Sequence, residues 1–195
     1  MTTRWDSPGQ GRRGGRATLA AVLVAVVLGA MTGLTGCAAV RDTAPGCEQP
    51  LRLAIVAQSL PSASYLPCLR SLPQGWSTSG FRAAPGGTSF LLNSDRSPGH
   101  PVRVRLIPSC RPGDASPSPP RAPGVVTYTR LTSITPRFAG SLYDVFPGGC
   151  VSYSFDFALG SQISLMEQFE QAVGLYPRQQ LRLILKHKLG VELGP

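Results

Sequence analysis

Apolar and polar residues alternate most strictly over Val102-Arg-Val-Arg-Leu-Ile107, and a period of two marks a half-buried strand. Val102, Val104 and Leu106 then face a core, while Arg103 and Arg105 share the opposite face. Arg52 and Arg82 are candidates to join them in a basic stripe, set against the plainer reading of a solvated face. Residues 51–56 (LRLAIV) read as a first strand, followed by a connection broken at Pro61, Pro67 and Pro73 and ending at Trp76, an aromatic expected to plug the core. Residues 81–84 and 89–92 flank Pro85-Gly86-Gly87 and predict a hairpin, and residues 125–131 predict another strand. Around Pro147-Gly148-Gly149 the pattern predicts a hairpin with a three-residue turn. Pairing Phe146 with Cys150 sets Tyr143 opposite Tyr153 and Val145 opposite Val151, so that one face is continuously apolar with Phe155 and Phe157. The same register sends Asp144 and Asp156 to the other face, about 13 Å apart at about 3.3 Å per residue. That exceeds the carboxylate separation of a retaining or inverting glycosidase.

Towards the C-terminus the period lengthens to that of a helix. One helix opens with Ser164 and Glu167 as a capping box, carries Leu165, Phe169 and Val173 on one face and closes at Gly174. A second opens at Pro177 and runs to Gly190, with Leu181, Ile184, Leu185 and Leu189 inward. Arg178, Arg182 and Lys186 fall on another face as a candidate basic ridge, although cations near a helix C-terminus also favour the macrodipole. The whole predicts an α+β fold: an antiparallel sheet of five or six strands with the two C-terminal helices packed on one face.

The first forty residues have a different character. Arg4, Arg12, Arg13 and Arg16 precede an uncharged stretch over residues 17–40, the layout of a secretory signal. It contains Leu34-Thr35-Gly36-Cys37, which resembles the lipobox of bacterial lipoproteins. The resemblance covers the export segment only, and implies a diacylglycerol on Cys37, cleavage before it, acylation of the new amino terminus and anchoring to the outer face of the cell membrane by more than one acyl chain. The alternative is an uncleaved transmembrane helix, since the uncharged stretch would span about 36 Å at about 1.5 Å per residue. Either way the N-terminal arginines stay inside and the rest of the chain lies outside. The expected organisation is a signal peptide over 1–36, a lipidated tether over 37–46 and one domain over 47–195, with a mobile Pro- and Ser-rich surface loop at 111–124.

Export changes the reading of the cysteines. Cys47, Cys68, Cys110 and Cys150 are an even set without a Cys-x-x-Cys pair, which predicts two structural disulfides. Three connectivities satisfy that count; Cys47–Cys68 with Cys110–Cys150 is favoured because each ties neighbouring segments. Seventeen of the 19 basic residues are arginine, with Lys186 and Lys188 the exceptions. From Cys37 onward the chain carries 15 basic and 9 acidic residues, 15 − 9 = +6. Outside a cell such a charge meets lipid headgroups and wall polymers rather than nucleic acid. The chain has no Gly-x-Ser-x-Gly elbow, no His-Glu-x-x-His helix and no phosphate-binding glycine loop, and its only histidines, His100 and His187, are far apart. No catalytic residue, metal site or cofactor is therefore assigned. The functional expectation is a noncatalytic binding or accessory module of the cell envelope, with an envelope protein or anionic polymer as partner. The alternatives are a hydrolase without a recognisable motif and a structural partner of a transporter or wall enzyme.

Overall fold

The computed structural model describes residues 43–99, 101–158 and 162–193. The lipobox residues Leu34, Thr35, Gly36 and Cys37, the uncharged stretch before them and His100 lie outside these.

The first helix among the described residues is α1 (Pro50–Ser59), where the sequence predicts a strand. The buried positions Leu53, Val56 and Ala57 are spaced by three and one, a helical period, and Leu51 and Ile55 stay 61% and 49% exposed. The apolar residues of this stretch fit both periods. Pro50 at the first turn lacks an N–H that would have had no partner there and suits the helical one.

Strand β1 (Tyr65–Leu69) pairs antiparallel with β9 (Val173–Pro177) in a separate two-stranded ribbon. The other strands are β2 (Trp76–Ala84), β3 (Gly87–Ser94), β4 (Val102–Ile107), β5 (Ser116–Ser118), β6 (Val126–Ser133), β7 (Arg137–Phe146) and β8 (Gly149–Ala158). They form one antiparallel sheet in the order β2-β3-β4-β8-β7-β6-β5. Seven strands in the main sheet exceed the five or six expected. The extra edge strand, β5, comes from the Pro- and Ser-rich segment at 111–124, which the composition assigns to loop throughout. There Ser118 and Thr129 hydroxyls meet at 2.9 Å across the β5–β6 pair.

Helices α2 (Gln162–Ala172) and α3 (Arg178–Ile184) follow, and one π turn (Leu185–Leu189) continues α3. Buried residues of the three helices share a single core with one face of the sheet: Leu53 and Val56 of α1, Leu165 and Phe169 of α2, and Leu181 of α3, with Phe90, Leu92, Val104, Phe155 and Phe157. Phe169 stands 5.9 Å from Phe155 and 6.0 Å from Tyr153, ring centre to ring centre. Trp76 is buried at the start of β2 and donates its indole N–H to Gln168 of α2, 2.8 Å.

Two disulfides, Cys47–Cys68 and Cys110–Cys150, close the framework. The first ties the segment before α1 to β1 and the second ties the chain after β4 to β8. With sequence separations of 21 and 40, loop closure stabilises by about 3 and about 4 kcal/mol.

The β7–β8 hairpin departs from the sequence reading by one residue. Phe146 pairs with Gly149 instead of Cys150, which leaves a two-residue Pro147-Gly148 turn; Leu142 opposes Tyr153 and Asp144 opposes Val151. Pro147 presets the turn's first φ and Gly148 adopts φ +78°, as a Pro-Gly turn requires. A neighbouring segment fastens it: the Ser62 hydroxyl donates to Gly148 O (2.7 Å) and the Ser64 N–H to Pro147 O (3.2 Å). The slip exchanges the faces of β7. Tyr143 and Val145 move to the outer face and Asp144 enters the core, fully buried.

Candidate anion-binding face

Asp144 is tolerated in the core because its carboxylate is saturated. Arg121 Nη1 donates to Oδ2 at 2.9 Å, the Tyr153 hydroxyl to Oδ2 at 2.9 Å and the Thr127 hydroxyl to Oδ1 at 2.8 Å. Arg121 arrives from the 111–124 segment, which also feeds β5, and its Nη2 donates to the carbonyls of Glu170 (2.7 Å), in the last turn of α2, and of Val173 (2.6 Å), the first residue of β9. Its guanidinium lies over the Tyr153 ring, 5.0 Å from the centroid. Burial works against the Arg121 charge, but Tyr153 and Asp144 outweigh it and raise the pKa. Burial pushes the Tyr153 phenol well up, so it stays a donor. Burial also raises the Glu170 carboxyl, with Arg121 opposing. The cluster joins loop, sheet and helix through a carboxylate that is fully buried. Its chemistry is that of a fastening.

The other face of the sheet is built differently. Its positions on β3 and β4, from Ser89, Leu91 and Asn93 to Arg103 and Arg105, all retain exposure, whereas Phe90, Leu92, Val102, Val104 and Leu106 are buried. One register row crosses it as Arg82, Ser89, Arg105, Ser152, Tyr143 and Tyr128, and the next holds Leu91, Arg103, Ser154, Ser141 and Arg130. The strands thus bring Arg103 and Arg105 together with Arg82.

A bulge makes this possible. Ser79 pairs with Leu91, but Arg82 pairs with Ser89, so Gly80 and Phe81 share the space opposite Phe90. Gly80 takes φ +63°, and the extra residue turns Arg82 to the outer face while Phe81 packs partly against the core. Arg52 is on α1 and its guanidinium lies 5.8 Å from the Phe81 ring centre, away from the stripe the sequence offered it.

Arg82, Arg103 and Arg105 are exposed, and among the described residues none has a carboxylate within 4.0 Å. Arg130 and Arg137, on the same face, are paired with Asp114 and Asp156. Two shallow depressions flank Arg82. One, about 380 Å³, runs over Gly80, Ser89 and Leu91 to Arg103; the other, about 230 Å³, runs over Gly87 and Ser89 to Arg105. Gly80 and Ser89 lie in the first beside Leu91, and Gly87 and Ser89 in the second beside Leu106 and Ile107, with Arg82 lining both.

The C-terminal ridge loses a member. Arg178 is buried, donating Nη1 to the carbonyls of Ala57 (2.8 Å) and Leu60 (3.4 Å) at the end of α1. Burial, with Arg182 nearby, lowers its pKa. A cation at a C-terminus is indeed what fixes it there, though the C-terminus belongs to another helix. Arg182 and Lys186 remain exposed, with Lys186 Nζ 3.3 Å from Glu192. His187 is exposed on the π turn. Among the described residues no three His, Cys, Asp or Glu side chains are grouped to hold a metal ion. Asp144 and Asp156 lie on opposite faces of the sheet and cannot act as a carboxylate pair.

Compared with protein-family models, with curated proteins and with solved structures, the chain matches none.

Proposed function

We propose that this protein is a lipid-anchored, extracytoplasmic, noncatalytic module of the cell envelope that binds an anionic partner across the open face of its main sheet. The observation that carries the binding reading is the trio Arg82, Arg103 and Arg105, exposed, without a carboxylate partner among the described residues and arranged around two depressions. Unpaired guanidiniums held on a rigid sheet need no local rearrangement to accept an anion, which lowers the ordering cost of binding. The anchor rests on Leu34-Thr35-Gly36-Cys37 and on the basic, apolar order before it. The disulfides are in keeping with an oxidising compartment.

The test uses the full chain extracted from membranes in nonionic detergent. Retention on an immobilised polyanion is compared between the native protein and R82A/R103A/R105A, and membrane fractionation between the native protein and Cys37→Ala. The reading expects the triple variant to elute at clearly lower salt with an unchanged unfolding midpoint, and Cys37→Ala to leave the lipid-modified pool. Equal elution would reject the binding face, and an unchanged lipid content would reject the anchor.

A further inference from the structure

The geometry points to the ligand class: we infer that the two depressions take consecutive phosphodiester groups of a linear polyol-phosphate polymer laid along β4, with Arg82 shared between them. The inference rests on the binding face proposed above and names what that face selects.

Three observations carry it. Arg103 and Arg105 are two residues apart on one strand face, about 7 Å at about 3.4 Å per residue. Phosphodiesters joined by a three-carbon unit are separated by six bonds of about 1.5 Å, on the order of 7 Å when extended. The repeat of the strand therefore matches the repeat of such a polymer.

Arg82 approaches from the far side. It is in register with Ser89, which is in register with Arg105, so it stands two strands away, about 9.5 Å. Each depression is walled by guanidiniums from opposite directions, with Ser89 on the floor of both. A planar carboxylate receives forks in its own plane. A tetrahedral phosphodiester presents free oxygens toward two walls at once and leaves its ester oxygens to continue the chain. The third observation is the absence of a competing carboxylate at these three arginines among the described residues.

The experiment measures binding of the full chain in nonionic detergent to four soluble probes at one fixed salt concentration. These are an oligomeric glycerol phosphate, a polyglutamate of equal charge, a single-stranded oligonucleotide of equal phosphate number, and glycerophosphoglycerol as a single headgroup. The expected result is that the glycerol phosphate oligomer binds roughly ten-fold tighter than polyglutamate and far tighter than the single headgroup. R82K, which keeps the charge and loses the fork, should weaken the oligomer several-fold and leave polyglutamate nearly unchanged. R182A, outside the face, should bind like the native protein.

Polyglutamate binding as tight as the phosphate oligomer, and still dependent on the three arginines, would overturn the phosphate assignment while leaving the binding face standing. Headgroup binding equal to the oligomer's would overturn the two-site arrangement and indicate lipid. Tighter binding of the oligonucleotide would overturn the assignment in favour of nucleic acid. Loss of all dependence on the three arginines would overturn both this inference and the face it rests on.

Discussion

Replacing Asp144 by alanine should cost this protein a large part of its stability. The side chain is fully buried and accepts three hydrogen bonds, one of them from Arg121, whose own side chain is only 14% exposed. Removing the carboxylate strands the Arg121 charge, the Tyr153 hydroxyl and the Thr127 hydroxyl together. Breaking one side of a buried ion pair costs about 3–5 kcal/mol, against about 5–15 kcal/mol for a whole domain. With a urea slope of about 2 kcal/mol per M, the midpoint should fall by about 2 M. The assay is urea unfolding with disulfides intact, followed by far-ultraviolet circular dichroism and tryptophan fluorescence. Replacing both partners, Asp144→Leu with Arg121→Met, removes the charge left behind and should recover much of the loss. If D144A stays within about 0.5 M of the native midpoint, or if the double replacement costs as much as the two singles together, the ion pair does not hold the fold in the manner argued.

Gly148→Ala should destabilise by about 2 kcal/mol or more, read as a drop in thermal midpoint, because φ is +78° and an added Cβ would lie 1.8 Å from the Ser62 carbonyl oxygen. Glu170 has a raised carboxyl pKa in the folded state, so the native protein holds this proton more tightly than the unfolded chain, and the group's favourable contribution, complete in acid, fades as pH rises through the folded pKa. Glu170→Gln should accordingly stabilise at neutral pH and lose that advantage below the ordinary glutamate range of about 4.3; equal effects at both pH values in urea unfolding would contradict this. Intact mass of membrane-extracted protein should rise by about 4 Da on reduction for the two disulfides, and the lipid increment should vanish in Cys37→Ala.

Much of the sheet is legible in the sequence, since β3, β4 and β8 expose one face and bury the other and so imprint a period of two. Arg103 and Arg105 follow from that period alone. The 51–56 stretch misleads because its apolar residues satisfy both periods, and only the contacts of Leu53 and Val56 with the core select the helix. The β7–β8 register misleads for a sharper reason: the buried face of β7 carries an aspartate between Leu142 and Phe146, while Tyr143 and Val145 stay on the outer face. An aspartate is carried inside by a Pro-Gly turn and neutralised by an arginine more than twenty residues upstream, in a segment whose composition promises only loop. A lone Asp between tyrosine and valine in a core hairpin, and a lone Arg in a Pro-rich stretch, are the only local traces of that pair. Arg82 depends on a bulge at Gly80; an isolated glycine between Ser79 and Phe81 hints at one without fixing its register. Arg178 leaves the predicted ridge because its partner carbonyls belong to a helix distant in sequence.

The most direct test of the account is arginine footprinting on intact cells with a membrane-impermeant dicarbonyl reagent, with modified peptides located by mass spectrometry. Arg82, Arg103 and Arg105 should react without lysis once phosphate polymers are stripped from the envelope, be protected while those polymers remain, and react well ahead of the buried Arg121 and Arg178. Reaction of the trio only after lysis would place the domain on the wrong side of the membrane. Reaction that is indifferent to the polymers would remove the ligand from the open face.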